Sequence, residues 1–343
     1  MGGIGFMNVA VVGATGAVGR EITSAVFRLG LKIDRLVLMS SERSAGKIVD
    51  TPIGEVAVEL AEPKRFEGMD VVFFAAGAAV SRELAPQAVA KGAVVIDNSS
   101  AFRMDPNVPL VVPEINIDAV KPGPGIIANP NCSTIIALMP VAPIHRRWGV
   151  KRMIVSTYQA VSGAGWAAMQ ALTEETKAAL EGAEVVPTVI PYKAAEVHHQ
   201  IAFNVVPHVD VFLPDGYTKE EHKMVDECRK ILNEPDLKIS ATTVRVPVYR
   251  SHSESINIET SEHAPLDEVR ALLEQSPGVK VVDDPGRFRY PMPLEASGTD
   301  DVYVGRLRVD PSSPNSMWLW VVGDQLLKGA ATNAVQIALG LFG

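Results

Sequence analysis

The stretch NVAVVGATGAVG, residues 8–19, constrains the fold more than any other part of the chain. NVAVV is a short β-branched run suited to a strand buried on both faces, and a glycine turn follows it at once. A helical pattern, REITSAVFRLG, comes next, and then a second strand, DRLVLMSS at 34–41. Together they make a βαβ unit of about 30 residues. Gly13, Gly16 and Gly19 recur every three residues in the turn, a relative of the dinucleotide fingerprint. Glycine there allows the tight turn and lets the backbone approach a pyrophosphate at a helix N-terminus. Standing after a strand and before a helix, the triplet points to a bound dinucleotide and not to a merely structural turn. An NAD site commonly carries an acidic residue near the end of the second strand. This chain offers Ser40, Ser41, Glu42, Arg43 and Ser44 there, so Arg43 favours the 2′-phosphate of NADP while Glu42 keeps NAD open.

Further buried-type strands follow at DVVFFAAG and AVVIDNSS, with the helical SRELAPQAVAKG between them. Strands alternating with helices imply a doubly wound parallel sheet through about residue 130. Past that point long alternating strands appear: MIVSTYQAVSG, KISATTVRVPVY, ESINIET, VYVGRLRV and SMWLWVVG. Amphipathic helices such as KEEHKMVDECRKILN and PLDEVRALLEQ separate them, the pattern of an α+β domain whose sheet has one face covered. The expected division is therefore a dinucleotide-binding domain over 1–130 and a second domain over 131–323, with a helical segment 324–343 folding back on the first.

A net charge of −8, from 32 Lys and Arg against 40 Asp and Glu, argues against general nucleic-acid binding. Two cysteines cannot form a disulfide framework, which fits a reducing cytoplasm. The opening MGGIGFMNVAVVGATG lacks a basic segment and reads as an approach to the first strand, not as a signal peptide. No apolar run approaches the roughly 20 residues of a membrane span.

Cys132, in ANPNCST, follows the strand GIIA and opens a helical stretch with Asn131 placed to cap it. A helix N-terminus favours the thiolate, the form that attacks carbonyl carbon, although free cysteines are more often packed and inert. Cys228, inside KMVDECRKIL, reads as packing. Among seven histidines His252 is best placed as a base, between two strong strands with Arg245 and Arg250 near, and His198 and His199 compete with it. No Cys or His pair has the spacing of a recurrent zinc motif, so no metal is expected.

GATGAVG, SSAFRM, NPNCST, TYQAVSGAG, residues 217–223, VRVPVYRSHSES and VGDQLLKGAA occur in the order found in the aspartate-β-semialdehyde dehydrogenase family, whose bacterial branch the chain resembles over nearly its whole length. The resemblance implies an N-terminal Rossmann-like domain and a catalytic and dimerisation domain of the glyceraldehyde-3-phosphate-dehydrogenase-like type. It also implies a cytoplasmic homodimer that serves the biosynthesis of Lys, Thr, Met and Ile, with NADP as cofactor. The implied reaction is reductive dephosphorylation of L-4-aspartyl phosphate to L-aspartate-4-semialdehyde through a cysteine thioester. In these terms Cys132 is similar to the nucleophile, His252 to the acid/base group and Gln159 to the residue that orients substrate. Arg245 resembles the clamp on the substrate α-carboxylate and Glu220 the partner of its amino group, while Arg103 and Lys223, with Asn131 nearby, resemble the phosphate site. Gly13, Thr15, Gly16, Ala17, Val18, Arg43, Ser44, Ser162, Gly163 and Gln325 match cofactor contacts. Two alternatives are N-acetyl-γ-glutamyl-phosphate reductase, whose acylated amine gives Glu220 no cation to hold, and a non-catalytic NADP-binding protein.

Overall fold

The computed structural model describes residues 5–342; residues 1–4, on which part of the reading of the N-terminal stretch falls, and residue 343 lie outside the described residues. The chain divides into two compact units, one running to Asn131 and taking in the chain from Gly329 onward, the other Cys132–Lys328.

The first unit holds a seven-stranded sheet of β1 (Met7–Val12), β2 (Ile33–Ser40), β3 (Ile48–Thr51), β4 (Gly54–Leu60), β5 (Val71–Phe74), β6 (Val94–Asp97) and β7 (Gly125–Ala128). Their spatial order is β3-β4-β2-β1-β5-β6-β7. All neighbours are parallel except β3 and β4, an antiparallel hairpin at the edge. The expected doubly wound parallel sheet is present, and what the sequence pattern does not mark at its edge is the added hairpin. Its strands are largely exposed and alternate only weakly, so they lack the apolar run that marks the other strands.

Why those runs are continuous is plain from the packing. Val9, Val11, Leu38, Phe73 and Ile96 face one core, shared with Ile22 and Val26 of helix α1 (Ala17–Arg28) and with Val335 of the C-terminal helix Thr332–Phe342. Ala10, Val12, Met39, Val72, Phe74 and Val95 face the opposite core, closed by Leu84, Ala85 and Ala88 of α2 (Ala78–Ala90). β1, β2, β5 and β6 are thus packed on both faces. A short α3 (Pro113–Asn116) precedes β7. The strand order reverses between β1 and β5, which opens a crevice beyond their C-terminal ends, the place where doubly wound sheets bind ligands.

The second unit is built on a six-stranded sheet of β8 (Val150–Gln159), β9 (Lys238–Arg245), β10 (His252–Thr260), β11 (Val279–Val281), β12 (Val302–Val309) and β13 (Ser316–Gly323). Its order is β11-β12-β13-β10-β8-β9, antiparallel through the centre and parallel at both ends. Helices α4 (Cys132–Trp148), α5 (Trp166–Leu180), α6 (Lys219–Leu232), α7 (Leu266–Glu274) and the short α8 (Pro293–Ala296) belong to this unit. Along β10 the alternate residues His252, Glu254, Ile256 and Ile258 are fully buried on the face that meets α4. Among the described residues no helix is long and apolar enough to cross a membrane.

Candidate active site

In the first unit the glycine turn is held by contacts that admit no side chain. Gly13 has φ +86°, and a Cβ there would meet the Ala75 carbonyl oxygen at 2.6 Å. At Gly19 a Cβ would lie 2.1 Å from the Gly13 oxygen, so this glycine lets α1 sit against the turn. Gly16 is the N-cap of α1, with no side-chain cap and no acidic residue in the first turn, which leaves the helix N-terminus for an external anion. A cavity of about 440 Å3 opens there, lined by Gly13, Thr15 and Gly16 after β1, by Ser40, Ser41, Arg43 and Ser44 after β2, and by Ala75 and Ala76 after β5. The Thr15 hydroxyl lies 3.0 Å from that of Ser40 and donates to that of Ser44 at 3.3 Å, which ties the glycine turn to the end of β2. Arg43 lines the cavity, whereas Glu42 is not among its lining residues within the described chain. These residues fit a dinucleotide: a glycine cradle, free helix N–H groups and a cation for a further phosphate. Ala17 and Val18 form the first turn of α1, and Val18 packs into the core.

The second unit assembles its polar centre through strand register. Parallel pairing sets Gln159 of β8 beside Arg245 of β9, and antiparallel pairing sets the start of β10 beside the end of β8, with Ser253 opposite Tyr158. Gln159, Arg245 and His252 therefore converge at one end of the sheet, and each is buried. Cys132 is the first residue of α4, a 17-residue helix whose N-terminal partial charge favours a thiolate. Its Sγ lies 3.5 Å from His252 Nε2. The other ring nitrogen, Nδ1, accepts from the Ala160 amide at 3.0 Å, and the Ala160 carbonyl accepts from Arg245 Nη1 at 2.8 Å. Burial, and then the neighbouring Arg245 guanidinium, lower the His252 pKa to about 3, with Glu220 opposing. A Cβ at Gly163 would come within 2.9 Å of Arg245 Nη1 and 3.1 Å of His252 Cε1, so only glycine leaves both side chains in place.

Gln159 Nε2 is within reach of Ser133 Oγ at 3.1 Å, and of Glu220 Oε1 and Thr157 Oγ1 at 3.3 Å each. Glu220 is buried in the first turn of α6, whose N-terminus is fixed by a capping box between Thr218 and Glu221. Lys223, one turn on, donates to Glu220 at 3.0 Å and to Asp210 at 2.7 Å. Burial by itself would lower the Lys223 pKa, but Glu220 and Asp210 outweigh it and hold the ammonium above its usual value. Ser162 and Gln325 are hydrogen-bonded to each other, and Gln325 Oε1 accepts from the Ser251 amide at 2.8 Å, next to His252.

Of the residues singled out in the sequence, the second unit brings together Cys132, Gln159, Ser162, Gly163, Glu220, Lys223, Arg245, His252 and Gln325. Arg103 and Asn131 belong to the first unit, where Arg103 donates to the carbonyls of Asn129 at 3.0 Å and Asn98 at 2.9 Å. The histidine that meets Cys132 is His252, whereas His199 is exposed and His198 half-buried. Cys228 is fully buried, and burial, followed by Glu227 and Glu254, raises its thiol pKa well above the ordinary value. Sequence reasoning missed Asp210, an isolated loop carboxylate, and the backbone of Ala160, which no side-chain pattern could mark. Among the described residues no group of three His, Cys, Asp or Glu side chains is arranged to hold a metal ion.

Comparison with known proteins places these two centres in one lineage. Residues 8–122 match the family model of the semialdehyde dehydrogenase NAD binding domain, and residues 141–328 that of the semialdehyde dehydrogenase dimerisation domain. The aspartate-semialdehyde dehydrogenase of Bacillus subtilis is 49% identical over 98% of this chain and 97% of its own. A crystal structure of aspartate semialdehyde dehydrogenase II from Vibrio cholerae, complexed with ASA, superposes with a TM-score of 0.91 at 41% identity, covering 98% of each chain. The Candida albicans enzyme, crystallised with NADP, superposes with a TM-score of 0.76 at 25% identity, again over 98% of each chain. With the glycine crevice matching one family model and the Cys132 centre lying largely within the other, the chain belongs to the aspartate-semialdehyde dehydrogenase family.

Proposed function

We propose that the chain reduces L-4-aspartyl phosphate to L-aspartate-4-semialdehyde, with release of phosphate, through a thioester on Cys132. The observation that carries this reading is the half-buried Cys132 sulfur at the start of α4, 3.5 Å from His252 and within the field of Arg245. Attack by the thiolate on the acyl carbon expels phosphate and leaves the thioester. Bound in the glycine crevice, NADPH supplies the reducing equivalent for that carbon. His252 then acts as the acid/base group, giving a proton to the oxyanion of the tetrahedral adduct, which collapses to the aldehyde with release of the Cys132 thiol.

Binding follows from charge and shape. Arg245, whose planar fork suits a carboxylate, holds the α-carboxylate, and Glu220 faces the α-ammonium. A buried carboxylate at Glu220 supports an amino-acid substrate over an N-acetylated one. Gln159 orients the acyl group, and Lys223, Arg103 and Asn131 serve the phosphate. NADP is the preferred cofactor because Arg43, and not Glu42, lines the crevice, with Gly13, Thr15 to Val18, Ser44, Ser162, Gly163 and Gln325 as its further contacts. The enzyme works as a homodimer in the cytoplasm, and its match to a dimerisation domain supports the first of these.

The test is phosphate-dependent reduction of NADP in the presence of aspartate semialdehyde. Cys132→Ala should abolish it while NADP binding persists, and mass spectrometry of trapped enzyme should find the acyl adduct on Cys132. An adduct on Cys228 with none on Cys132 would overturn the assignment.

A further inference from the structure

Resting on the reading of His252 as the acid/base partner of Cys132, we infer that Asp324 is a positioning residue for that pair: with its neighbour Gln325 it holds the left-handed turn at Ser251 that aims His252 at the Cys132 sulfur. Antiparallel pairing of β10 with β13 ends at His252 opposite Gly323. Just beyond that point, Arg250 and Ser251 before β10 are joined by side chains to Asp324 and Gln325 after β13. Ser251 is fully buried and has φ +71°, a conformation that a residue with a side chain keeps only where its surroundings over-determine it.

The surroundings of Ser251 do so. Gln325 Oε1 accepts from its amide at 2.8 Å, while Gln325 Nε2 donates to Ser162. The Ser297 hydroxyl gives its proton to the Pro293 carbonyl at 2.7 Å, so in the 2.8 Å contact between the two serines it accepts and Ser251 donates. Asp324, fully buried, then fixes the neighbours of all these groups. Its Oδ2 accepts from Arg250 Nε and, at 2.7 Å, from the Gly298 amide, and its Oδ1 accepts from the Leu326 amide at 3.0 Å. Arg250 precedes Ser251, Gly298 follows Ser297, and Leu326 follows Gln325. Both carboxyl oxygens face N–H groups, so an asparagine amide in this place would set one N–H against another in either orientation.

His252 is one peptide away from the turn. Its ring is caught between Cys132 Sγ at 3.5 Å and the Ala160 amide at 3.0 Å, contacts that a shift of the first residue of β10 would lengthen. The groups proposed to hold substrate stand on other elements, Arg245 on β9 and Glu220 and Lys223 on α6. Loosening the turn should therefore slow proton transfer and leave substrate binding intact, since a misplacement of about 1 Å is enough to cost about 10²-fold in rate. Asp324 acts through Ser251 and His252, not on the reacting atoms.

Double-mutant kinetics at saturating NADP test this. Asp324→Asn should lower kcat by about tenfold or more while the KM values for semialdehyde and phosphate stay within about twofold of wild type. On a His252→Asn background the same substitution should lower kcat by less than about twofold, because the group it positions is gone. A loss carried over in full to that background, or one that appears in KM and not in kcat, would make Asp324 a purely structural residue and sink the proposal. Should Asp324→Asn not fold, Ser297→Ala removes one hold on Ser251 from a half-buried site. It should lower kcat by about threefold, the loss of one hydrogen bond, when His252 is present, and leave kcat unchanged when it is not; equal losses in both backgrounds would again overturn the inference. Failure of the acid/base reading looks different: His252→Asn alone would then keep a kcat close to wild type, and the positioning role would fall with it.

Discussion

Replacing His252 by Asn should change how the stability of the second unit depends on pH, in a direction the buried ring dictates. Its pKa falls from 6.5 to about 3 in the fold, first through burial and then through Arg245. At about 1.4 kcal/mol per unit, protonating the ring inside the fold costs on the order of 5 kcal/mol. A depressed folded pKa means that the stabilisation is present above the unfolded value and is lost as pH falls, because the unfolded chain binds the proton first. Between about pH 7 and about pH 5 the loss is roughly 2 kcal/mol, and raising the folded value by a unit changes it by less than about 0.1 kcal/mol. Glu254, two residues along β10, opposes this. Neither of its carboxyl oxygens has a partner, and burial holds its pKa well above 4.5, so it costs stability as pH rises from that value. In the wild type the two slopes offset each other. Glu254→Gln should therefore gain stability from pH 5 to pH 7 relative to wild type, and His252→Asn should lose it. All four tryptophans, at 148, 166, 318 and 320, lie in the second unit, so urea midpoints by fluorescence at several pH values report the unit concerned. Parallel profiles in wild type and His252→Asn would refute the reasoning, because they would mean that the ring protonates equally well folded and unfolded.

Arg43→Ala should raise the KM for NADP by about tenfold or more and leave that for NAD nearly unchanged, the loss expected for one charged contact to a phosphate; equal use of both cofactors by the wild type would remove Arg43 from the ribose site. Glu220→Gln should weaken the semialdehyde and Lys223→Ala phosphate, with NADP affinity unaltered, in steady-state runs that vary one substrate at a time; unchanged KM values would make the buried Glu220–Lys223–Asp210 cluster a structural one. Gly19→Ala places a Cβ 2.1 Å from a backbone oxygen. It should cost at least about 1–3 kcal/mol of stability and weaken NADP binding, by calorimetry and titration respectively; wild-type affinity would show that the turn does not need this close approach.

The parts of the molecule written in local pattern are legible in the amino-acid sequence alone. NVAVV with its glycine turn specifies strand, bend and helix from neighbouring residues, and GIIA followed by NPNCST puts Cys132 at a helix start. The β3–β4 hairpin is not legible that way, since its residues are mostly exposed and carry no apolar run. At the second centre, side chains with distinctive chemistry stand out in the sequence, but what orients them does not. An alanine whose amide meets a ring nitrogen looks like any other alanine. Nor does the sequence reveal that Lys223 is shared with Asp210, because that contact depends on how a loop packs against α6.

The register of β10 has a consequence for the order in which the enzyme acquires its activity. Cys132 and His252 are 120 residues apart in the chain, and β10 lies between β8 and β13, with His252 opposite Gly323. The reactive pair therefore forms only after strands from both ends of the second unit have closed on the middle one, a set of long-range pairings that fold slowly. A nascent chain still lacking β13 holds every residue of the pair but not the sheet that brings them together. Regain of turnover during refolding should accordingly trail the burial of α4 and α6, and a chain that stalls before the last strand docks should be collapsed and inactive.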